Sequence, residues 1–209
     1  MSRYYDLSQP IENGMTIFPG DQAVRVGSGD ASAPWLVSRL ELGTHSGTHI
    51  DAASHLIPGG RTIDQYGIDR FVLPGVVVSV LGLGEDEAIG AKELGEVQLL
   101  KGGGVIIQTD WSRYWGTERY LRHPYLTAEA AERIAAAGVG LVAIDALNVD
   151  STVQETDHAH EILLGQDILI VENLARLAQL ETGKVYQFSF LPLLLAGLDG
   201  SPVRAVAWE

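Results

Sequence analysis

The chain has 209 residues, of which 46% are apolar and 20% are charged. These proportions are typical of a folded globular protein and argue against intrinsic disorder. The length predicts a single domain over residues 1–209, because domains commonly contain about 100–200 residues. Acidic residues outnumber Lys and Arg by 27 to 14, which gives a formal net charge of −13. This charge argues against nucleic acids and anionic membrane surfaces as partners.

The chain has no cysteine, which excludes disulfides, thiolate nucleophiles and cysteine-ligated metal clusters. Its first six residues, Met1–Asp6, lack the apolar core of a signal peptide. The longest uncharged apolar stretch, residues 71–84, is too short to cross a bilayer and contains Pro74. We therefore expect a cytoplasmic protein without a membrane-spanning segment.

In chain order, the first 45 residues predict extended segments and turns rather than helices. Beyond them, short runs rich in β-branched residues predict strands at 76–81, 105–108, 141–144, 168–171, 184–190 and 203–207. Helices are expected between the strands, at 128–137 and 173–180. Thr127 is a suitable N-cap and Gly138 a suitable C-terminal stop for the first helix. The alternation predicts an α/β layer fold with a mixed β-sheet.

The most informative segment lies at residues 43–55, where three of the six histidines fall within eleven residues. In a helix, Asp51 would point about 200° away from His49. An extended backbone instead places His45, His49 and Asp51 on one side, because side chains alternate along a strand. Gly47 lies on the same side and has no side chain to block an ion. The spacing therefore favours an extended segment that presents three ligands together.

Two imidazoles and one carboxylate are nitrogen and oxygen ligands that suit Zn²⁺, Mn²⁺, Fe²⁺ or Ni²⁺. Further ligands are expected from the second half of the chain. His160 begins a short helical stretch, and Glu172 follows the buried run 168–171, where α/β sheets commonly place ligand sites. His158 is an alternative to His160, since it lies only two residues away.

The segment from His45 to His55 resembles the H-x-G-T-H-x-D-x-P-x-H signature of the cyclase family of metal-dependent hydrolases. This family includes bacterial kynurenine formamidases and isatin hydrolases. Ala53 stands where the family usually has proline, and this difference predicts a looser turn before His55. Further segments match the same family, at residues 6–8, 18–21, 109–112, 144–145, 160–164, 171–174 and 200–205.

The resemblance implies a fold, a metal site and a set of roles. The implied fold is a mixed β-sheet with flanking helices, of the swivelling β/α/β type. The implied cofactors are two divalent ions, zinc or manganese. Their implied ligands are His45, His49 and Asp51 for one ion, and His160 and Glu172 for the other, with Asp51 and Glu172 able to bridge. His55 would donate and accept protons, and Phe18 would contact the substrate ring.

The resemblance further implies hydrolysis of a C–N bond other than a peptide bond, in a small aryl formamide or cyclic amide. N-formylkynurenine, cleaved to kynurenine and formate, is the expected substrate. Two alternatives stay open at this point. One is a hydrolase or cyclase that acts on another small cyclic substrate, such as a lactone, an imide, isatin or a polyketide. The other is a metal-dependent binding protein without turnover. A homodimer or homotetramer is expected.

Overall fold

The computed structural model describes residues 3–29 and 35–209. Its strands are β1 (Tyr4–Asp6), β2 (Arg25–Ser28), β3 (Ser38–Glu41), β4 (His49–Asp51), β5 (Val72–Ser79), β6 (Ala88–Ile89), β7 (Gly104–Gln108), β8 (Tyr125–Leu126), β9 (Leu141–Ile144), β10 (Leu169–Glu172), β11 (Val185–Ser189), β12 (Gly200–Pro202) and β13 (Val206–Trp208). Its α-helices are α1 (Ala128–Ala136) and α2 (His158–Gly165). No helix in this described part combines the length and hydropathy that a bilayer crossing requires.

Nine of the described strands form one mixed sheet, in the order β1-β13-β11-β5-β7-β9-β10-β4-β12. The four strands β5, β7, β9 and β10 run parallel in its middle. The strands on either side of this parallel block pair antiparallel. The predicted α/β class with a mixed sheet is therefore confirmed.

The parallel strands are buried on both faces, which explains their continuous runs of Val, Ile and Leu. Ile106 and Ile107 are neighbours in β7, and both are fully buried. Ile107 packs in a cluster with the apolar residues of α1 and α2. Ile106 packs in a second cluster, to which each strand of the sheet from β1 to β4, in the sheet order given above, contributes. The sheet therefore curls around the second cluster and carries its two α-helices on the other face.

Helix α1 begins and ends as the sequence predicts. The side chain of Thr127 accepts a hydrogen bond from the Ala130 amide, which satisfies a free donor of the first turn. Gly138 adopts a left-handed backbone, with φ of +70°, just after the helix.

The predicted helix at 173–180 is wrong. Asn173 and Arg176 both have positive φ values, 59° and 57°, which interrupt a right-handed helix. The amides of Leu174 and Ala175 donate to carbonyls of Ile144 and Leu7, so tertiary pairing replaces helical bonds. A short 3-10 turn at Leu177–Gln179 remains, and the second α-helix of the described chain is α2.

The predicted strand at 203–207 is also wrong in its bounds. Strand β13 begins only at Val206, and the residues just before the predicted strand form β12, which pairs with a different neighbour. Val203 forms an isolated bridge to Pro192 and donates its amide to the Thr48 carbonyl at 2.9 Å, and Arg204 lies between the strands. The segment therefore crosses from one end of the sheet to the other.

Ile106→Ala and Ile107→Ala test whether both faces of the sheet are equally buried. We expect each to lower the free energy of unfolding by about 2–5 kcal/mol, because each leaves a cavity in a packed core. Val185→Ala, at a side chain in β11 that is 48% exposed, serves as the control and should cost much less. Urea unfolding of the three variants measures the difference. A large loss for only one isoleucine would show that the other face is open.

Candidate metal centre

The pairing of β4 with β10 brings three polar side chains to one face of the sheet. The strands are antiparallel, with His49 opposite Glu172 and Asp51 opposite Ile170. Ile50, between the two ligand candidates, packs in the cluster that the sheet curls around. Because side chains alternate along a strand, His49 and Asp51 face the helical side. There His49 Nε2 lies 3.3 Å from Asp51 Oδ1 and 3.5 Å from Glu172 Oε2.

Helix α2 adds His160 to this group. Asp150 accepts hydrogen bonds from the amides of Ala159 and His160, both at 2.9 Å, and so satisfies the start of the helix. His160 Nε2 lies 3.8 Å from Asp51 Oδ2 and 3.6 Å from Glu172 Oε1. The predicted grouping of His160 with Glu172 and the histidine-rich segment is thus present in the structure.

His45 joins the group through a turn and not through a strand. Gly47 has a φ of +66°, so the extended backbone of β4 does not continue back to His45. A Cβ at Gly47 would lie 3.2 Å from Met15 Cε. The positive φ explains why a glycine is needed, and because a Cβ there would approach Met15 and not the ligand candidates, the prediction that the glycine clears space for an ion is wrong. His45 Nδ1 still lies 2.6 Å from Asp51 Oδ1.

Each of the three imidazoles has its outer nitrogen beside an oxygen acceptor. These acceptors are Asp199 Oδ2 for His45 Nε2 at 2.9 Å, Gly47 O for His49 Nδ1 at 2.8 Å, and Asp150 Oδ2 for His160 Nδ1 at 2.9 Å. The inner nitrogens consequently face the two carboxylates. Metal-binding histidines in proteins are commonly oriented in this way, by a hydrogen bond at the nitrogen that does not bind the ion.

The carboxylates of Asp51 and Glu172 are both buried, and they lie within 4.8 Å of each other. Asp51 Oδ2 has no hydrogen-bond partner, which is unusual for a buried oxygen. Burial and the neighbouring Asp51 carboxylate raise the pKa of Glu172 to about 7. A cation between these groups would satisfy the orphaned oxygen and offset both charges. The residues present therefore fit a divalent ion.

Burial disfavours charged imidazoles here, but the surrounding carboxylates outweigh it. Asp51 and Asp199 raise the pKa of His45 to about 9 despite its burial. Asp150, Asp51 and Glu172 raise the pKa of His160 to about 10 in the same way. In the metal-free protein, protons on these rings supply the positive charge that the carboxylates require.

The side chains are close enough to hold an ion in three overlapping groups. The groups are His45, His49 and Asp51; Asp51, His160 and Glu172; and His45, His55 and Asp199. Asp51 is common to the first two groups, which are the more deeply buried ones. The two groups contain all five ligands that the sequence predicted.

His55 lies beside this cluster, at the end of a short 3-10 turn, Ala53–His55. Its ring centre is 4.0 Å from that of His45 and 5.8 Å from that of His160. Burial and the neighbouring imidazoles lower the pKa of His55 from its ordinary value, although Asp51 acts in the opposite direction. His55 is therefore a neutral base at neutral pH.

The turn before His55 has two contacts at Ala53, and the looser turn expected from the absence of proline stays a prediction. The Ala53 amide donates to Tyr66 Oη at 3.3 Å, a bond that proline could not make. Gly60 packs closely on the same residue, since a Cβ at Gly60 would lie 2.7 Å from the Ala53 carbonyl carbon. The turn is held by these two contacts.

A cavity of about 320 Å³ opens onto the cluster. Its volume lies in the range of small-molecule sites. Phe18 lies at its rim with 39% of its surface exposed. His158 does not line the cavity, and its Nε2 lies 2.8 Å from the Leu126 carbonyl oxygen. The structure therefore favours His160 over His158 as the member of the cluster.

Sequence reasoning missed the acceptors Asp150 and Asp199. Asp150 is separated from His160 by ten positions, and its role as an acceptor depends on how the loop before α2 folds. Asp199 is 154 positions from His45 and reaches it only through the pairing of β12 with β4. No local spacing in the sequence indicates either contact.

A family model named Cyclase, described as "Putative cyclase", matches residues 5–151. The chain belongs to this family. A kynurenine formamidase of Bacillus anthracis is 33% identical over 208 residues, which cover 98% of this chain and 97% of that protein. The family resemblance predicted from the motif between His45 and His55 is confirmed.

Solved structures agree with this assignment. One, of a potential metal-dependent hydrolase with cyclase activity, has a TM-score of 0.84 and 25% identity, and covers 100% of this chain and 98% of its own. An isatin hydrolase bound to the product analogue thioisatinate has a TM-score of 0.87 and shares the fold, at 20% identity and with 100% and 92% of the two chains covered. Together with the donor set of the cluster, the first of these structures supports a metal cofactor.

The raised pKa values of His45 and His160 predict how metal binding depends on pH. Both rings carry a proton at neutral pH, and an ion at their inner nitrogens must displace it. The apparent affinity should therefore rise by about 100-fold per pH unit from about pH 7, the pKa of Glu172, to about pH 9, that of His45, when two protons are displaced. Competition with a chelator of known affinity measures this slope. An affinity independent of pH would contradict displacement of these protons.

Proposed function

We propose that this protein is a hydrolase that uses two divalent ions to cleave the C–N bond of a small aryl formamide. The observation that carries the proposal is the convergence of three imidazoles and two buried carboxylates beneath one cavity, with a neutral histidine beside them. A protein that bound metal and a small molecule without turnover would not require that additional base.

The ligands of the proposed ions follow the two buried groups. His45, His49 and Asp51 would hold one ion, and His160 and Glu172 would hold the other, with Asp51 shared. Nitrogen and oxygen donors without sulfur suit Zn²⁺ or Mn²⁺. When bound, such ions lower the pKa of a bound water and polarise a carbonyl oxygen.

His55 supplies the proton transfers of the proposed reaction. As a neutral base it accepts a proton from the attacking water while the new C–O bond forms. It then donates that proton to the leaving nitrogen as the C–N bond breaks. One water is consumed, and a carboxylic acid and an amine are released. Proton transfer by a positioned side chain commonly contributes about 100- to 10,000-fold in rate.

N-formylkynurenine, cleaved to kynurenine and formate, is the proposed substrate. The identity of 33% over nearly the whole length of a kynurenine formamidase supports this choice. Phe18 at the cavity rim is the proposed contact for the substrate ring, because aromatic side chains pack well against aromatic ligands. A cytoplasmic location, a single domain and a homodimeric or homotetrameric state stay predictions.

The proposed function is tested with purified protein and a substrate panel. We expect N-formylkynurenine to be hydrolysed faster than isatin, a lactone or a cyclic imide, with loss of activity in a chelator and recovery on addition of Zn²⁺ or Mn²⁺. Formate release and absorbance of the amine product measure the reaction. Faster turnover of a cyclic substrate would favour the alternative, a hydrolase or cyclase that acts on small cyclic molecules. If the protein bound substrates but hydrolysed none of them, the proposal that it is an enzyme would be wrong.

His55→Ala tests the proposed base. We expect kcat to fall by about 100- to 10,000-fold with two ions still bound, because the ring takes part in proton transfer and not in holding the ions. His158→Ala is a matched control, since the two side chains are similarly exposed, 34% and 30%. It should retain most of the activity. Loss of an ion in His55→Ala, measured by elemental analysis, would instead make His55 a ligand.

A further inference from the structure

Asp199 immediately precedes β12 and links two histidines of the cavity. Its Oδ2 atom lies 2.9 Å from His45 Nε2 and 3.3 Å from His55 Nδ1. Its other oxygen, Oδ1, accepts a hydrogen bond from Thr44 Oγ1 at 3.0 Å. The carboxylate is therefore fixed through one oxygen and presents the other to both rings.

The backbone at Asp199 and Gly200 also packs closely against β4 and the residue that follows it. The Ala52 amide donates to the Asp199 carbonyl at 2.8 Å, just outside the pairing of β12 with β4. A Cβ at the next residue, Gly200, would lie 2.7 Å from the Ile50 carbonyl oxygen and 2.9 Å from His45 Cε1. A residue without a side chain is thus required for the strand to approach β4 and bring Asp199 to the histidines.

We propose that Asp199 is a positioning residue that holds the His55 ring with a proton on Nδ1, while the same oxygen orients the His45 ring. The inference rests on the proposed function only for the role given to His55. With Nδ1–H donated to Asp199, the lone pair of His55 lies on Nε2, and this nitrogen can accept the proton of the attacking water.

Asp199 differs from the other acceptors around the cluster. Asp150 and the Gly47 carbonyl each accept from one ring that is a ligand candidate. Asp199 lies beside one ligand candidate and also beside the proposed base. Its carboxylate therefore contacts both the proposed ion site and the proposed base. Its removal should weaken metal binding through His45 and lower kcat through His55, and the two effects can be measured separately.

The first test measures the tautomer of His55 in the metal-free protein. Nitrogen-15 chemical shifts distinguish Nδ1–H from Nε2–H, and we expect Nδ1–H in the native protein. Asp199→Asn should shift His55 towards a mixture, because the amide loses an acceptor oxygen. Asp110→Asn is the matched control, since the Asp110 side chain is 43% exposed against 39% for Asp199 and pairs with Arg113 outside the cavity. An unchanged tautomer in Asp199→Asn would overturn the inference.

The second test is a double-mutant cycle at saturating Zn²⁺. We expect Asp199→Asn to lower kcat by about 10- to 100-fold with little change in KM. In the His55→Ala background the same change should have little further effect, because the two residues act as a unit. A double variant that is much slower than His55→Ala would show that Asp199 does not act through His55.

Metal-binding measurements distinguish a positioning role of Asp199 from a role as a metal ligand. Through His45, Asp199→Asn should weaken Zn²⁺ binding by about 10- to 100-fold in chelator competition, without loss of an ion at saturation. Stoichiometric loss of one ion would make Asp199 a ligand and overturn the positioning role. If the native protein hydrolysed no substrate, the proposed function would fail, while the tautomer and affinity measurements would still decide the role of Asp199.

Should Asp199→Asn fail to fold, Thr44→Val provides the second variant. It keeps the carboxylate and nearly the same side-chain volume but removes the hydroxyl that fixes Oδ1. We expect a smaller loss of kcat and a smaller shift of the His55 tautomer in the same direction. A Thr44→Val protein with native kcat and native tautomer would show that the orientation of Asp199 is not set by this hydroxyl, and would contradict the network.

Discussion

Two carboxylates buried side by side, Asp51 and Glu172, set the main constraint on this molecule. Removing a charged group from water is costly unless an opposite charge lies nearby, and like charges at close range add to that cost. The surrounding imidazoles meet the requirement in the metal-free protein by holding protons. A divalent cation would meet it better, since it also satisfies the orphaned oxygen of Asp51.

The sheet topology explains how these groups meet. Strand β10 ends a block of parallel strands, and β4 returns antiparallel beside it, so that Glu172 at a carboxyl end faces His49 at an amino end. A parallel strand in the place of β4 would present its other end to Glu172. Asp150 then ties the start of α2 to the same edge through the amides of Ala159 and His160. The site is therefore made of short-range contacts between segments that are far apart in sequence.

The local part of this site could be predicted from the sequence, and the long-range part could not. The spacing of His49 and Asp51 requires a strand, and a strand is what forms. The placement of His45 depends on the positive φ of Gly47, which a glycine permits but does not impose. The helix predicted at 173–180 failed because tertiary pairing of Leu174 and Ala175 outweighs helix propensity. The contact between Asp199 and His45 depends on the pairing of β12 with β4, which brings together residues that are far apart in sequence.

The two halves of the cluster differ in their access to solvent. The Asp150 side chain, behind His160, is completely buried, whereas that of Asp199, behind His45, is 39% exposed. In the proposed mechanism the substrate must approach, and the two products must leave, from the exposed side. His55 lies on that side, next to His45 and Asp199. The buried half, around His160, is therefore suited to binding an ion, and the exposed half, around His45 and His55, is suited to proton transfer with a substrate. This asymmetry is a physical reason for the base to be paired with Asp199 instead of Asp150.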